Sequence, residues 1–185
     1  MTKLIPTLAL AVLIPGTAAF PQDCGGEPTE PPTGPVYDNF DDDVDWLHGG
    51  CSDVSIYSRN SDDTLGLFFS SSGQVATVQE AEANLTFQLD LASDEASVVV
   101  QAGEYITDIA CNDVVIQDPI IDEHWTAISG TAQLSIDYDE NGGDFDTNAP
   151  ATLILFDVML VNDVGDQVHL DHFGPAQVYV GWLPG

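Results

Sequence analysis

Positive charge is almost absent from this chain. Its 185 residues include one lysine, Lys3, and one arginine, Arg59, against 31 aspartates and glutamates. Nucleic-acid phosphates and anionic lipid surfaces repel a chain of this charge, so we expect neither of them as a partner. Because no lysine follows Lys3, the rest of the chain has no means of catalysis through a lysine Schiff base.

Long hydrophobic runs are missing as well. The apolar stretch from Leu4 to Ile14 is shorter than the roughly 20 residues that a membrane-spanning helix needs, so we expect no transmembrane segment. It follows a lysine and precedes small residues at positions 17–19, and no acid occurs before Asp23. This order predicts a secretory signal peptide over residues 1–19, and a chain exported to the bacterial periplasm, the cell surface or the medium. An uncleaved N-terminal anchor is the alternative.

Cysteine is scarce, with three residues in the whole sequence: Cys24, Cys51 and Cys111. Disulfides persist in the oxidising compartments that exported chains enter. We predict a bond between Cys51 and Cys111, because both adjoin strand-like segments, whereas Cys24 lies in a Pro- and Gly-rich linker over residues 20–35. Cys24 and the two glycines after it are similar to the start of a bacterial lipoprotein. Lipid anchoring at Cys24 is disfavoured because Asp23 replaces the small residue that such signals carry.

Residues 36–185 have the size of one domain. Their short segments alternate apolar and polar residues and are bounded by Ser, Asp, Asn and Gly, as in 64–71, 84–92 and 124–138. This pattern predicts an all-β domain, an antiparallel β-sandwich of the jelly-roll or Ig-like type with about eight or nine strands. Gly130 predicts a bulge, and the doubly apolar segment 151–161 predicts a central strand. For residues 75–85 we predict strand and loop rather than helix, because strands flank them.

Residues 137–146 raise the main functional question. Oxygen-bearing side chains recur at Asp137, Asp139, Asn141, Asp144 and Asp146. Calcium takes six to eight oxygen ligands, so these five residues form a candidate calcium site. The segment is not an EF-hand, because Asn148 occupies the place of the last glutamate and the flanking segments are strands. Asn141-Gly142 is also a strong hairpin signal, so a solvated turn between two antiparallel strands remains the alternative.

His169, Asp171 and His172 form a second group of metal-ligating residue types. On a strand the first two share a face and the third points away, so binding one zinc ion through all three requires a bend. We therefore interpret them as surface residues. Asp157 interrupts an apolar strand, and we expect its carboxylate to face solvent rather than to be buried with partners.

Two functions of different class follow from these patterns. The first is an exported, non-catalytic binding, adhesion or surface module, with calcium as a stabilising cofactor and an unknown protein or carbohydrate as ligand. The alternative is a secreted carbohydrate-active hydrolase or lyase that uses two carboxylates about 5–10 Å apart. In a chain with 31 acids such a pair arises by chance, and no G-x-S-x-G motif or phosphate-binding loop is present. We therefore favour the module.

Overall fold

The computed structural model describes residues 45–108, 110–111, 117–142 and 146–182. The predicted signal peptide, the linker and Cys24 lie outside these ranges. The described residues form eight strands and one helix. The strands are β1 (Leu47–Cys51), β2 (Val54–Arg59), β3 (Leu65–Ser71), β4 (Leu85–Asp90), β5 (Ala96–Glu104), β6 (Ile120–Ile136), β7 (Asp146–Asn162) and β8 (Gln167–Trp182), and the helix is α1 (Gln74–Ala81).

The strands pair into a single antiparallel sheet in the order β1-β2-β3-β5-β6-β7-β8, with β4 attached to β6. One edge of β6 is shared: β5 pairs with residues 120–126, and β4 pairs with residues 131–136. The other edge of β6 pairs with β7, which pairs in turn with β8. Strand β7 therefore lies between two neighbours, which confirms the central strand predicted from its apolar sequence.

The sheet curls until its first strand lies against its last. The ring of Trp46 meets that of Phe173 edge to face, with centroids 5.3 Å apart, and the N–H of Gly181 donates to the carbonyl of Ser52. A Cβ atom at Gly50 would lie 2.7 Å from the Tyr179 carbonyl oxygen, so glycine is what permits this approach.

The predicted sandwich is not confirmed, although the all-β class and the antiparallel pairing are. The described strands belong to one sheet. Strands β6, β7 and β8 are 16 or 17 residues long and continue through register shifts. Strands that bend in this way carry the sheet around the core, where a sandwich would begin a second sheet.

Apolar side chains fill the inside of the curled sheet. Alternate residues point inward, as the pleat requires, and the largest fully buried ones include Leu67, Phe69, Leu134, Leu153 and Leu155. Full burial of one such side chain contributes about 1.5–3 kcal/mol. Because apolar side chains fill the interior, the surfaces left for another molecule are the outer face, the loops and the edges.

Helix α1 overturns the strand and loop predicted for residues 75–85. Val75 and Val78, three positions apart on one helical face, are buried against the sheet. The carboxylate of Asp53, in the turn between β1 and β2, accepts hydrogen bonds from the N–H groups of Gly73 and Val75. The prediction from the flanking strands was wrong because the carboxylate that caps this helix comes from a turn distant in sequence. Local sequence patterns do not show such a cap. No helix in the described ranges has the length and apolarity needed to cross a membrane.

Cys51 and Cys111 lie at disulfide distance, as the sequence predicted. Their sulfurs are 2.01 Å apart and their Cα atoms 5.6 Å apart, within the range that disulfides span. The bond joins residues 60 positions apart in sequence, and it ties the end of β1 to the segment that follows β5.

Candidate functional site

A β-bulge re-aims the side chains of β7 at Asp157. Asp157 and Val158 together oppose the single residue Gly130 of β6, which is the two-against-one arrangement of a bulge. Asp157 has a φ of +51°, a left-handed conformation that is uncommon for residues other than glycine. A Cβ atom on Gly130 would lie 2.8 Å from the Val158 Cα atom, so the bulge predicted at Gly130 depends on that glycine.

Three side chains of metal-ligating types meet on the outer face beside this bulge: Asp157, His169 and Asp171, here called the outer-face cluster. Asp157 Oδ1 lies 3.8 Å from His169 Nε2, and Asp171 Oδ1 lies 2.9 Å from His169 Nδ1. One ligand atom from each of the three lies within 4.8 Å of the other two. The side chains are 87%, 46% and 90% exposed in the order named, so the cluster is open to solvent.

The cluster confirms two expectations and changes a third. His169 and Asp171 share a face, and the carboxylate of Asp157 faces solvent, as predicted. His172 is exposed, as expected of a surface residue, but it does not lie on the opposite face of the strand, because β8 shifts its inward positions at this point. Its ring packs against that of Phe156 at 5.5 Å. The third member of the cluster is therefore Asp157 of the neighbouring strand, not His172.

Asp157 also borders a recess of about 520 Å³ on the surface. Its lining is formed by Gln88, Leu89, Asp90, Gly130, Thr131 and Asp157. The recess lies where β4, β6 and β7 run side by side, and Asp157 is the member of the outer-face cluster that lines it.

The predicted calcium loop is described in part. Among its five candidate ligands Asp137, Asp139 and Asn141 are described, whereas Asp144 and the side chain of Asp146 lie outside the described part. The Asp137 N–H donates to the Pro150 carbonyl at 2.9 Å, which closes the predicted β6–β7 hairpin. The two carboxylate oxygens of Asp139 accept hydrogen bonds from Asn141 N–H at 3.0 Å and from Asn148 N–H at 3.1 Å. Asp139 thus spans the loop, and calcium binding stays a prediction.

A second depression, of about 670 Å³, opens on the outer surface near the β4–β5 turn. Its lining includes five serines, Ser70, Ser71, Ser72, Ser93 and Ser97, and we call it the serine recess. The exposed acids Asp94 and Glu95 and the half-exposed Ile128 complete much of its wall. The Oγ atoms of Ser70 and Ser97 are hydrogen-bonded at 2.7 Å, while the buried Oγ of Ser71 has no partner among the described residues.

His48 has a perturbed protonation equilibrium. Its Nδ1 lies 2.8 Å from the hydroxyl of the fully buried Ser58, and its ring stands edge-on to Phe173. Partial burial lowers the pKa of His48 below its ordinary value of 6.5, because the charged imidazolium loses hydration there.

Comparison with known proteins identifies no relative. No family model, curated protein or solved structure matches this chain.

Sequence reasoning missed the serine recess and the full membership of the outer-face cluster. The serines come from three separate segments, and no local spacing marks them as neighbours. Asp157 and the His169–Asp171 pair were each visible in the sequence as polar residues on strands. Joining them requires the β7–β8 register, in which Phe156 pairs with His172.

Proposed function

We propose that this chain is an exported, non-catalytic binding module that holds a carbohydrate in the serine recess. The observation that carries the proposal is the recess itself, an open volume of about 670 Å³ whose lining includes five serines, Asp94 and Glu95. Ligand pockets in proteins usually have volumes of 300–1,000 Å³. Serine hydroxyls donate and accept hydrogen bonds, and carboxylates accept them from sugar hydroxyls.

Two acids of the recess limit the class of sugar that it would accept. Asp94 and Glu95 at the rim favour neutral or cationic sugars over acidic ones. The described tryptophans serve the core rather than this recess, since Trp125 is 3% exposed and Trp46 packs against Phe173.

Calcium enters the proposal as a stabilising ion at the loop of residues 137–146. Asp139 already holds both sides of the loop through its two carboxylate oxygens, and lone pairs remain on these oxygens for a cation. Asp137 and Asn141, on the same loop, supply further oxygens. The expected dissociation constant is on the order of 10⁻⁴–10⁻³ M, as in extracellular modules.

A binding assay paired with a turnover assay tests the module. The full chain is measured against neutral, cationic and acidic polysaccharides by affinity electrophoresis, and the same mixtures are assayed for newly formed reducing ends or unsaturated products. We expect retention by a neutral or cationic polysaccharide without cleavage. Cleavage of a polysaccharide would contradict the proposal and favour a hydrolase or lyase.

A matched pair of variants locates the binding surface. Ser97→Arg places a long side chain in the serine recess, where Ser97 bonds Ser70 across two strands. Ser135→Arg makes the same change outside the recess, in a similar cross-strand pair with Thr86 at 3.0 Å. We expect the first variant to abolish retention and the second to leave it intact. Equal retention by both variants would place the ligand elsewhere.

A further inference from the structure

We propose that the outer-face cluster binds a divalent transition metal, with His169 and Asp157 as ligands and Asp171 orienting the imidazole. This site is separate from the proposed calcium loop and has a different donor set. Calcium takes oxygen ligands, whereas zinc and its neighbours bind imidazole nitrogen together with carboxylate oxygen. The imidazole of His169 therefore selects a different class of ion from the one expected at residues 137–146.

The distances suit a shared metal. Zinc bonds to nitrogen and carboxylate oxygen are about 2.0–2.2 Å long, so two ligand atoms of a tetrahedral site lie about 3.3–3.6 Å apart. His169 Nε2 and Asp157 Oδ1 are 3.8 Å apart, so a shift of a few tenths of an ångström brings both atoms to bonding distance. Both side chains are exposed by 46% or more, which leaves them free to make this adjustment.

Asp171 occupies the position of an orienting carboxylate. It lies 2.9 Å from Nδ1, the ring nitrogen on the far side from Asp157. A carboxylate at the second nitrogen of a ligating imidazole fixes its tautomer and its orientation, and directs the other nitrogen to the metal. Asp171 is therefore a positioning residue rather than a direct ligand.

Two features of the surroundings favour a bound cation over a merely solvated group. Phe156 pairs with His172 and Val158 with Leu170, which places Asp157 opposite Asp171. Like charges directly opposite each other on neighbouring strands are destabilising, and a divalent cation removes the repulsion. The exposure of Asp157 and His169, 87% and 46%, also leaves room for the water molecules or outside ligands that complete the coordination.

The test is a zinc titration of the full chain by calorimetry, with millimolar calcium present to occupy sites built from acids alone. Asp157→Asn and His169→Gln remove the two ligands. The controls are His172→Gln, three positions further along the same strand, and Asp163→Asn, an exposed acid in the β7–β8 turn. We expect one zinc per chain in the wild type and both controls, and binding at least about tenfold weaker in both ligand variants. Wild-type affinity in His169→Gln would overturn the proposal, as would an equal loss in His172→Gln.

Nuclear magnetic resonance of the histidine ring nitrogens tests the role of Asp171. On addition of zinc, the resonance of His169 Nε2 should shift as a metal ligand while Nδ1 keeps its proton. Asp171→Asn should weaken binding by roughly 10- to 100-fold and lower the share of the Nδ1-protonated tautomer. Metal attachment at Nδ1, or unchanged affinity in Asp171→Asn, would overturn the assigned geometry. Because the readout is zinc at His169, failure here is independent of the carbohydrate and calcium proposals.

Discussion

The aspartates of the loops and those of the outer sheet face differ in what their carboxylates contact. Asp53, Asp63 and Asp139 lie in turns or loops, and each accepts hydrogen bonds from backbone N–H groups of another residue or segment. Asp157 and Asp171 lie on the outer face of β7 and β8 and flank a histidine. The acidic side chains of the described residues therefore differ in their contacts and do not all act as solvated surface charges. These three loop acids hold backbone donors in place, whereas the two face acids contact a histidine side chain.

Because of this difference, removing a carboxylate should change the free energy of unfolding in opposite directions in the two groups. Removing a loop carboxylate that accepts from backbone N–H groups takes this partner from those donors, so it should destabilise. Replacing a face carboxylate by a neutral side chain of the same shape relieves repulsion between facing charges, so it should be neutral or stabilising in the absence of metal.

The largest effect is expected at Asp63. Its carboxylate accepts hydrogen bonds from the N–H of Thr107 at 3.1 Å and from the Thr107 hydroxyl at 2.7 Å, and Thr107 is 8% exposed. Asp63→Ala should lower the free energy of unfolding in urea by about 2 kcal/mol. Asp62→Ala, the matched control next to it, removes an exposed acid bonded to Ser61 and should change it by less than about 0.5 kcal/mol. Similar losses in both variants would show that an acid bonded to backbone N–H groups contributes no more to stability than a solvated acid does.

A smaller effect of opposite sign is expected at Asp157. Its φ of +51° costs about 1–2 kcal/mol for most residues, and glycine adopts it freely. Asp157→Gly should therefore raise the free energy of unfolding by about 1 kcal/mol, measured in a metal-free buffer. Asp171→Gly is the matched control: glycine in an ordinary strand position is destabilising, so this variant should lose stability. If Asp157→Gly lost as much as Asp171→Gly, the bulge would not impose the conformation described.

The sequence predicted the strands better than their arrangement. The alternation over residues 124–138 agrees with the burial found there, since Ala132, Leu134 and Ile136 are all fully buried. Alternation does not say which strands pair, so the sharing of one edge of β6 by β4 and β5 was not predictable. The single curled sheet depends on register shifts in long strands. Where both faces of a strand are apolar, a shift of one residue hardly changes the hydrophobic pattern of the sequence.

The candidate sites were likewise predictable where they depend on local spacing and not where they depend on which strands pair. Local spacing placed His169 and Asp171 on one face of a strand, because two residues two positions apart point the same way. It did not supply Asp157, which reaches them through the register of β7 against β8 and through the bulge opposite Gly130. The helix at residues 74–81 was missed for a related reason, since the carboxylate of Asp53 that caps it comes from another turn.

The smallest expected effect is the pH dependence of stability that comes from His48, which belongs neither to the loop acids nor to the outer-face cluster. Burial lowers its pKa in the folded state below 6.5, so the unfolded chain binds the proton more readily. The contribution of His48 to stability is therefore fully present above about pH 6.5 and is lost as the pH falls through the lowered folded pKa. Urea unfolding at pH 7.5 and pH 5.5 should show a smaller pH-dependent loss in His48→Gln than in the wild type. An equal loss in both would contradict the assignment.

The central claim is that the loop of residues 137–146 binds calcium and the outer-face cluster binds zinc. It is tested most directly by the thermal unfolding midpoint of three proteins in three ionic conditions. The proteins are the wild type, the double variant Asp137→Asn/Asp139→Asn and His169→Gln, each in calcium, in zinc and in sodium of matched ionic strength. We predict that calcium raises the midpoint of the wild type and of His169→Gln above the sodium value, but not that of the double variant. Zinc should raise the midpoint of the wild type and of the double variant, but not that of His169→Gln. Equal midpoints in the three salts for all three proteins would show that the acids act only through screening, and would contradict the account.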